Sequence, residues 1–471
     1  MALHTWGRRA LLLLLCGPAL ALAQPLDFDR AWQQVLSQNP GLKAEQGGIT
    51  KAEQLADAAR ALYLPDISVS GQATHMAKPI ELDLADLNPM AQLSQDATLG
   101  PLLGQLLAGI GGSSALVTPF TKQDLVTSSI QAMWPLYAGG RIDAAQTIRG
   151  AQVDEARQQY ALKQMAAFET LAQRYFGVQL AQQLLATRQA QQDLLAHHLT
   201  QANQLAKQGQ IAEVERLSAE SALANAQIQT DQARRQTEIA RLALASLLGE
   251  TGQPQPSLPL FINRQLPPEA TLLADTLAHH PGLQLLDAKA RQAEGLATVE
   301  SGKRLPEVFL YGNYQLYEQD TLAAKMAPDW LVGVGVKVPL VSREGHSDTL
   351  AAAATTRLQV RDMLAQLRQD LSLLVQQSWR EADQARQEYE SSAHTLELAQ
   401  ANLKLRQSAF TQGLGTSLDV QEAQTRLLGV QTQRQAAAYR YDIALARLLA
   451  LAGRAAEFSQ YPQHADVEFQ S

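Results

Sequence analysis

Two carboxylates that could attract cations follow a short glycine turn late in the chain. Asp419 and Glu422 come after QGLGT at residues 412–416, and their spacing of three residues places both on one face of a helix. Acidic side chains in the first turn of a helix are also stabilised by the helix dipole. The residue types alone therefore fit an ordinary solvated helix start as well as a cation-attracting site.

Adjacent histidines are the other residues that could hold a metal ion, namely His197, His198, His279 and His280. Neighbouring residues on a helix point to different sides, so an adjacent pair does not form a ligand set by itself. The residues that align with the second pair in the first half of the chain are Gln38 and Asn39, which are poor metal ligands. We therefore predict no metal site and no cofactor.

No catalytic residues or nucleic-acid surface can be recognised in the sequence. It lacks a glycine-rich phosphate loop, a nucleophile elbow and paired cysteines, so we do not predict an enzyme. The net charge of -7 is mild, and no basic stripe with interleaved aromatic residues occurs, which argues against nucleic-acid binding. Aromatic residues make up only 5% of a chain rich in Ala, Leu and Gln, a composition typical of long, closely packed helices.

The N-terminus has the pattern of an export signal. Arg8 and Arg9 precede an apolar run that ends in a small-residue cleavage site before Gln24, which predicts a signal peptide at residues 1–23. The sole cysteine, Cys16, lies inside it; lipidation of Cys16 is an open alternative, although Leu15 stands where a small residue is usual. No later apolar run reaches the roughly 18 residues of a membrane-spanning helix.

The chain repeats itself once. Residues 40–42 recur at 281–283 with an offset of 241, and residues 208–209 recur at 412–413 with an offset of 204. Constant offsets over such lengths indicate an internal duplication, and their difference predicts 37 additional residues in the first copy. We predict a first repeat at residues 24–253 with a loop insertion at about 77–122, a proline-rich linker at 254–269, a second repeat at 270–453 and a polar, loosely ordered tail at 454–471.

Each repeat has the same order of predicted elements. A first helix, at residues 27–61 and again at 270–303, ends before Pro65 and Pro306. Strands with one apolar face follow at residues 66–76 and 123–134, and at 308–316 and 330–338. Long proline-free segments then predict helical hairpins that reverse at Gly209 and Gly413, because glycine readily adopts the left-handed backbone at a helix end.

The strands have the length and pattern of membrane β-strands. About ten residues suffice for a tilted strand to cross a bilayer, and Trp134 and Trp330 near strand ends suit an aromatic belt. Four strands cannot close a barrel, and an open sheet edge is too costly in lipid, so the strands must be shared among subunits. Two subunits would give a filled barrel of about eight strands, whereas three would leave room for a channel.

The sequence resembles the outer-membrane efflux protein (TolC) family over nearly all of the chain that follows the signal peptide. The resemblance lies in NPGLKA at residues 39–44, repeated as HPGLQL at 280–285, in WPLYAGGR at 134–141 and in GLGTSLDVQEAQTRLL at 413–428. It implies a mainly α fold with a membrane β-barrel, built from internally duplicated units of two strands and a long helical hairpin. Three copies would form a 12-stranded barrel, continued by an α-helical barrel in the periplasm.

The resemblance also implies a function, partners and site residues. It implies the outer-membrane channel of a tripartite efflux pump or type I secretion system, acting as a homotrimer in outer-membrane lipid with a periplasmic adaptor and an inner-membrane transporter. By resemblance Asp419 and Glu422 form a periplasmic gate, and the residues that dock the adaptor are Gly209, Gly413, Leu414 and Thr416. The first copy departs from the pattern, with Glu215 and Arg216 where the second has Asp419 and Val420.

Three questions stay open at the level of the sequence. A periplasmic helical-hairpin adaptor would share the long helices, but it would lack the duplication and the four alternating strands. The insertion is an exposed loop with a short amphipathic helix, a lid over the barrel mouth or a contact for something outside the cell. The substrate could be a drug, a metal ion, a siderophore or a secreted protein.

Overall fold

The computed structural model describes residues 26–83, 117–340 and 346–468, together with residues 101, 105, 108 and 109. The predicted signal peptide with Cys16 and most of the predicted insertion lie outside the described residues. The helices, in chain order, are α1 (Phe28–Gln38), α2 (Pro40–Arg60), α3 (Arg141–Lys207), α4 (Glu213–Leu248), α5 (Glu269–His279), α6 (Pro281–Gly302), α7 (Leu322–Met326), α8 (His346–Thr411), α9 (Ser417–Leu451) and α10 (Gln460–Gln463). The strands are β1 (Asp66–His75), β2 (Glu81–Asp83), β3 (Val117–Pro119), β4 (Asp124–Tyr137), β5 (Phe261–Ile262), β6 (Glu307–Glu318), β7 (Trp330–Lys337) and β8 (Val467–Glu468).

The chain forms two compact units. Of the described residues, those within Thr50–Glu155 and Asp287–Asp362 form the strand unit, and those within Met1–Ile49, Ala156–Leu286 and Met363–Ser471 form the hairpin unit. Both units take segments from both repeats, so neither unit corresponds to one repeat. Among the described residues, no helix is both long enough and apolar enough to cross a membrane.

A four-stranded antiparallel sheet forms the strand unit, in the order β1-β4-β6-β7. Opposed residues share a side, and one row across the sheet consists of Val69, Ile130, Tyr314 and Trp330. The next row towards the start of β1, Ile67, Ala132, Gly312 and Val332, has no polar side chain, and Val332, Val334 and Val336 on β7 are each more than 60% exposed. The other face carries polar residues such as Ser70 and Ser129, whose hydroxyls lie 3.1 Å apart. The predicted alternation is thus present, with a large apolar face exposed on a single chain.

The predicted first helix of each repeat is wrong in one respect, because each is broken into two. In the first repeat the Oδ1 atom of Asn39 accepts hydrogen bonds from the backbone N–H groups of Gly41 and Leu42 and so starts α2. In the second repeat His280 takes the same place, and its Nδ1 accepts from the N–H of Gly282 at 3.1 Å. Proline follows each break and has no N–H to continue the preceding helix.

Aromatic residues form the core of the hairpin unit. Phe28 packs within 6 Å, centroid to centroid, of Phe168, Tyr175, Phe176 and Phe458. The core also includes Phe261 of β5, which pairs with β8 near the C-terminus. The predicted loosely ordered tail is therefore wrong: Phe458 is 1% exposed, and its burial anchors the C-terminal segment against the core.

Candidate functional site at the hairpin turns

The turn between α8 and α9, called turn two, contains three of the residues predicted to dock an adaptor. Gly413 ends α8 with φ +69°, and the N–H of Leu414 donates to the carbonyl of Ala409 at 2.9 Å, which closes a Schellman motif. A Cβ atom at Gly413 would meet nothing within 4 Å, so it is the positive φ that favours glycine there. Leu414 is 78% exposed, a large apolar side chain held on the outside of the turn.

The start of α9 is capped by its own side chains. The backbone N–H of Asp419 donates to Thr416 Oγ1 at 3.2 Å, and Thr416 N–H donates back to Asp419 Oδ2 at 3.0 Å. The predicted gate residue Asp419 thus belongs to a capping box, the arrangement that satisfies exposed N–H groups at a helix start. Arg406 of α8 also donates to Asp419, with 3.0 Å between Nη1 and Oδ1.

These contacts set the charge at the predicted gate. Hydrogen bonds from Thr416 hold the pKa of Asp419 below its ordinary value, and the positive charge of Arg406 adds to the effect. Within a single chain the Asp419 carboxylate is therefore ionised at neutral pH, and the guanidinium of Arg406 partly balances its charge. Glu422, one turn further along α9, is exposed. The two carboxylates lie on the same helix face, as predicted, but only Asp419 is fixed by the turn.

The turn between α3 and α4, called turn one, has the same backbone as turn two. Gly209 has φ +70°, and the N–H of Gln210 donates to the carbonyl of Leu205 at 2.9 Å. Ala212 stands at the N-cap of α4, with extended φ and ψ and no side-chain hydrogen bond. Gly209 is thus in the predicted reversal, while the side chains that follow it differ from those of turn two.

A small apolar cluster brings the two turns together. It draws on all four helices of the hairpins and consists of Ala202, Ala219, Leu403, Phe410, Val420 and Ala423. Phe410, in the last turn of α8, is fully buried and is the only aromatic residue of this cluster. The structure therefore places Gly209 and the turn-two residues around one shared packing centre.

Sequence analysis missed a polar contact beside this cluster. Nε2 of His198, on α3, lies 2.7 Å from Oγ of Ser417, the first residue of α9. The N–H of Ser417 donates to Oε2 of Glu215 on α4 at 2.6 Å. The departure at Glu215, noted in the sequence, could have pointed to this contact, because it places a carboxylate in the first turn of α4. The contact joins the two repeats.

A cavity of about 420 Å³ adjoins this contact, and its walls are Leu194, His197, His198, Gln201, Lys404, Gln407, Ser408 and Thr411. His197 faces solvent while His198 is 3% exposed, so the adjacent histidines do point to different sides. Within the described parts of the chain, no three His, Cys, Asp or Glu side chains are grouped so that they could hold a metal ion.

A family comparison identifies the chain. The sequence model of the outer membrane efflux protein family matches residues 31–250 and 272–454, which is most of its length. The chain belongs to the outer membrane efflux protein family. This match confirms the family resemblance and the fold class that the sequence predicted. It also confirms the predicted localisation in the outer membrane with an extension into the periplasm. No curated protein sequence matches the chain.

Solved structures of outer-membrane channels have the same fold as this family member. It superposes on CusC with a TM-score of 0.72 at 14% identity, over 90% of this chain and 91% of that chain. For VceC of Vibrio cholerae the TM-score is 0.70 at 16% identity, over 90% and 96% of the two chains. For the open state of the MtrE outer membrane channel of Neisseria gonorrhoeae it is 0.69 at 16% identity, over 91% and 89%. At these identities the likeness establishes the fold.

Proposed function

We propose that this outer-membrane efflux protein is a trimeric channel that gives substrates an exit duct across the periplasm and the outer membrane. The observation that carries the proposal is the amphipathic sheet. Its apolar face suits lipid, and within the described residues β1 and β7 each pair with one strand only. Unpaired edges are costly in a bilayer, so β1 of one copy would pair with β7 of the next. Three copies supply about twelve strands, enough to enclose an aqueous channel.

The duct would serve a tripartite efflux pump or a type I secretion system, with a periplasmic adaptor and an inner-membrane transporter as partners. Family membership and the fold of solved outer-membrane channels support this role. The alternative, a periplasmic adaptor, leaves the exposed apolar face of the sheet without a function. The substrate class stays open, because the described residues at the turns have no ligand-specific arrangement.

We further propose that turn two docks the adaptor and that Asp419 and Glu422 gate the channel. Leu414 offers an exposed apolar contact on a rigid turn, and Gly413, Thr416 and Gly209 hold the backbones of the two turns. In a threefold assembly the acidic pair would occur three times around one axis, where it would attract cations.

The channel proposal is tested on the apolar face of the sheet. Val69→Arg places a charge on that face, whereas the matched control Gln72→Arg places the same charge on the opposite face of the same strand. We expect Val69→Arg to cost about 2–4 kcal/mol where the strand crosses the bilayer, and Gln72→Arg to be tolerated. The measurement is the amount of heat-modifiable trimer in the detergent-extracted outer membrane, with single-channel conductance in planar bilayers.

Equal trimer levels for both variants would contradict a lipid-facing apolar side. A wild-type protein recovered as a folded monomer in micelles, or in the soluble fraction, would contradict the shared barrel altogether.

A further inference from the structure

His198 contacts two of the other three helices that meet at the hairpin turns and feels the charge of the third. Its Nε2 lies 2.7 Å from Ser417 Oγ on α9, and its ring packs on Phe410 of α8 with 4.4 Å between centroids. The Glu215 carboxylate of α4, which accepts from the Ser417 N–H, acts on His198 through its charge. His198 is 3% exposed and Ser417 is fully buried. One imidazole therefore joins the two repeats at their turns.

The other ring nitrogen has no such partner among the described residues. Nδ1 of His198 is buried and has no hydrogen-bond partner in the described part of the chain. A neutral imidazole can leave Nδ1 as a bare acceptor, whereas an imidazolium must carry an N–H there. A buried N–H without an acceptor is destabilising, and more so when the group is charged. The packing of the two turns in this structure therefore favours the neutral imidazole over the imidazolium.

The charges around His198 do not reverse this preference. Burial lowers the pKa of His198 below its ordinary value, and the charge of Glu215 opposes the shift only in part. On α8, Lys404 lines the same cavity as His198 and would repel an imidazolium. Among the other described residues that line this cavity, the titratable side chain is His197 on α3, which is exposed; on α9, the Asp419 carboxylate is held by Thr416 and Arg406.

We propose that His198 is a positioning residue that locks the two hairpin turns together, and that its protonation releases them. In the released state the ring reaches water, which supplies an acceptor for Nδ1–H and solvates the charge. Ser417 then leaves the His198 ring and Phe410 loses its aromatic neighbour. The lock is a property of one chain, so it goes beyond the proposed channel and does not depend on it.

The direction of the pH dependence follows from the lowered pKa. The contribution of the neutral ring is fully present above its ordinary pKa, near 6.5, and is lost as the pH falls from there through the lowered pKa. Because one proton is coupled, the equilibrium between locked and released turns changes by at most about tenfold per pH unit.

Hydrogen exchange of the full-length protein in detergent tests the lock, with protection factors for amides at residues 199–216 and 406–424. Protection factors remove the intrinsic pH dependence of exchange. In the wild type we expect them to fall as the pH drops below about 6.5, by up to tenfold per pH unit. His198→Gln keeps a polar group near Ser417 without a titration and should lose this pH response. The adjacent, exposed His197→Gln should keep it.

A second variant keeps the test decisive if His198→Gln fails to fold at the turns. Glu215→Gln retains an acceptor for the Ser417 N–H but removes the charge that favours the imidazolium, so the fall in protection should move to lower pH. Wild-type protection that is constant with pH, an unchanged response in His198→Gln, or a midpoint in Glu215→Gln that stays or rises would each overturn the proposal.

Discussion

The two hairpin turns have one backbone geometry and two different sets of supporting side chains. Glycine with φ near +70° ends the preceding helix in both, and the same two backbone hydrogen bonds close both turns. Turn two then caps its own helix through Thr416 and Asp419, whereas the N-cap of α4 is Ala212, which cannot donate or accept through its side chain. The duplication thus preserved what the chain reversal requires and left the capping groups free to diverge.

A side chain of the first repeat stabilises the turn of the second repeat. Glu215, which aligns with Asp419, does not cap α4 but accepts a hydrogen bond from Ser417 at the start of α9. Phe410 fills the shared cluster from turn two, and the aligned residue of turn one is the smaller Ala206. Turn two is therefore the better supported and the more specialised of the two, which is the property expected of a docking and gating surface.

The largest difference between the turns should appear in transport. Leu414→Glu puts a charge on the exposed apolar side chain of turn two and should abolish transport if the adaptor docks there. Gln210→Glu makes the same change at the aligned, exposed position of turn one and should leave transport near wild type. Trimer level and conductance of the purified protein should not change in either variant, because neither side chain is buried. Gly413→Trp should also abolish transport, although it additionally strains a backbone with positive φ.

The outcome that would contradict docking at turn two is normal transport in Leu414→Glu. Equal loss in both variants would instead assign docking to both turns and remove the specialisation inferred for turn two.

Stability should be the next largest difference. Phe410→Ala removes the aromatic side chain from the shared cluster. It should lower the free energy of unfolding by about 3–5 kcal/mol, as large-to-small changes of buried aromatic residues do. The aligned change, Ala206→Gly, removes little volume and should cost about 1 kcal/mol through helix propensity. Hydrogen exchange of the turn peptides under native conditions measures both local stabilities. Similar losses of local stability in the two variants would mean that the cluster does not depend on the Phe410 side chain beside turn two.

A smaller difference is expected from the caps. Thr416→Ala removes the side-chain acceptor at the start of α9 and should cost about 0.5–2 kcal/mol. Ala212→Thr should stabilise α4 by a smaller part of that range, because Ala212 already has the extended backbone of an N-cap residue. Protection of the first-turn amides of each helix is the readout. If Ala212→Thr had no effect, the N–H groups at the start of α4 would have other acceptors.

Local and periodic features made much of this fold predictable. The reversals at Gly209 and Gly413 could be predicted because positive φ has a strong residue preference, and the four long strands because side chains alternate between a polar and an apolar face. The breaks at Asn39 and His280 were both missed because the helical pattern continues on either side of each residue.

Contacts between distant residues were not predictable in the same way. His198 and Ser417 are 219 residues apart, and nothing in the local sequence of either indicates the other. Phe458 lies in a short, largely polar segment without a sustained apolar repeat, so its place in the core had no periodic signal. At the candidate site, the sequence predicted the turn and the acidic pair, but it could not reveal that Arg406 of α8 also donates to Asp419.

The smallest expected effect concerns the charges of turn two. Asp419→Asn combined with Glu422→Gln removes both charges, while the amide oxygen of the introduced asparagine can still accept from Thr416, so the cap is largely retained. If the carboxylates line a narrow opening in a threefold assembly, cation selectivity and block by multivalent cations should both be several-fold weaker in the double variant than in the wild type. Both are measured in planar bilayers. The lowered pKa of Asp419 means that the charge of this carboxylate should persist well below neutral pH. Glu213→Gln, which neutralises an exposed acid in the first turn of α4, is the matched control and should behave as the wild type. Wild-type selectivity and block in the double variant would reduce the acidic pair to an ordinary helix start, capped on one side and solvated on the other.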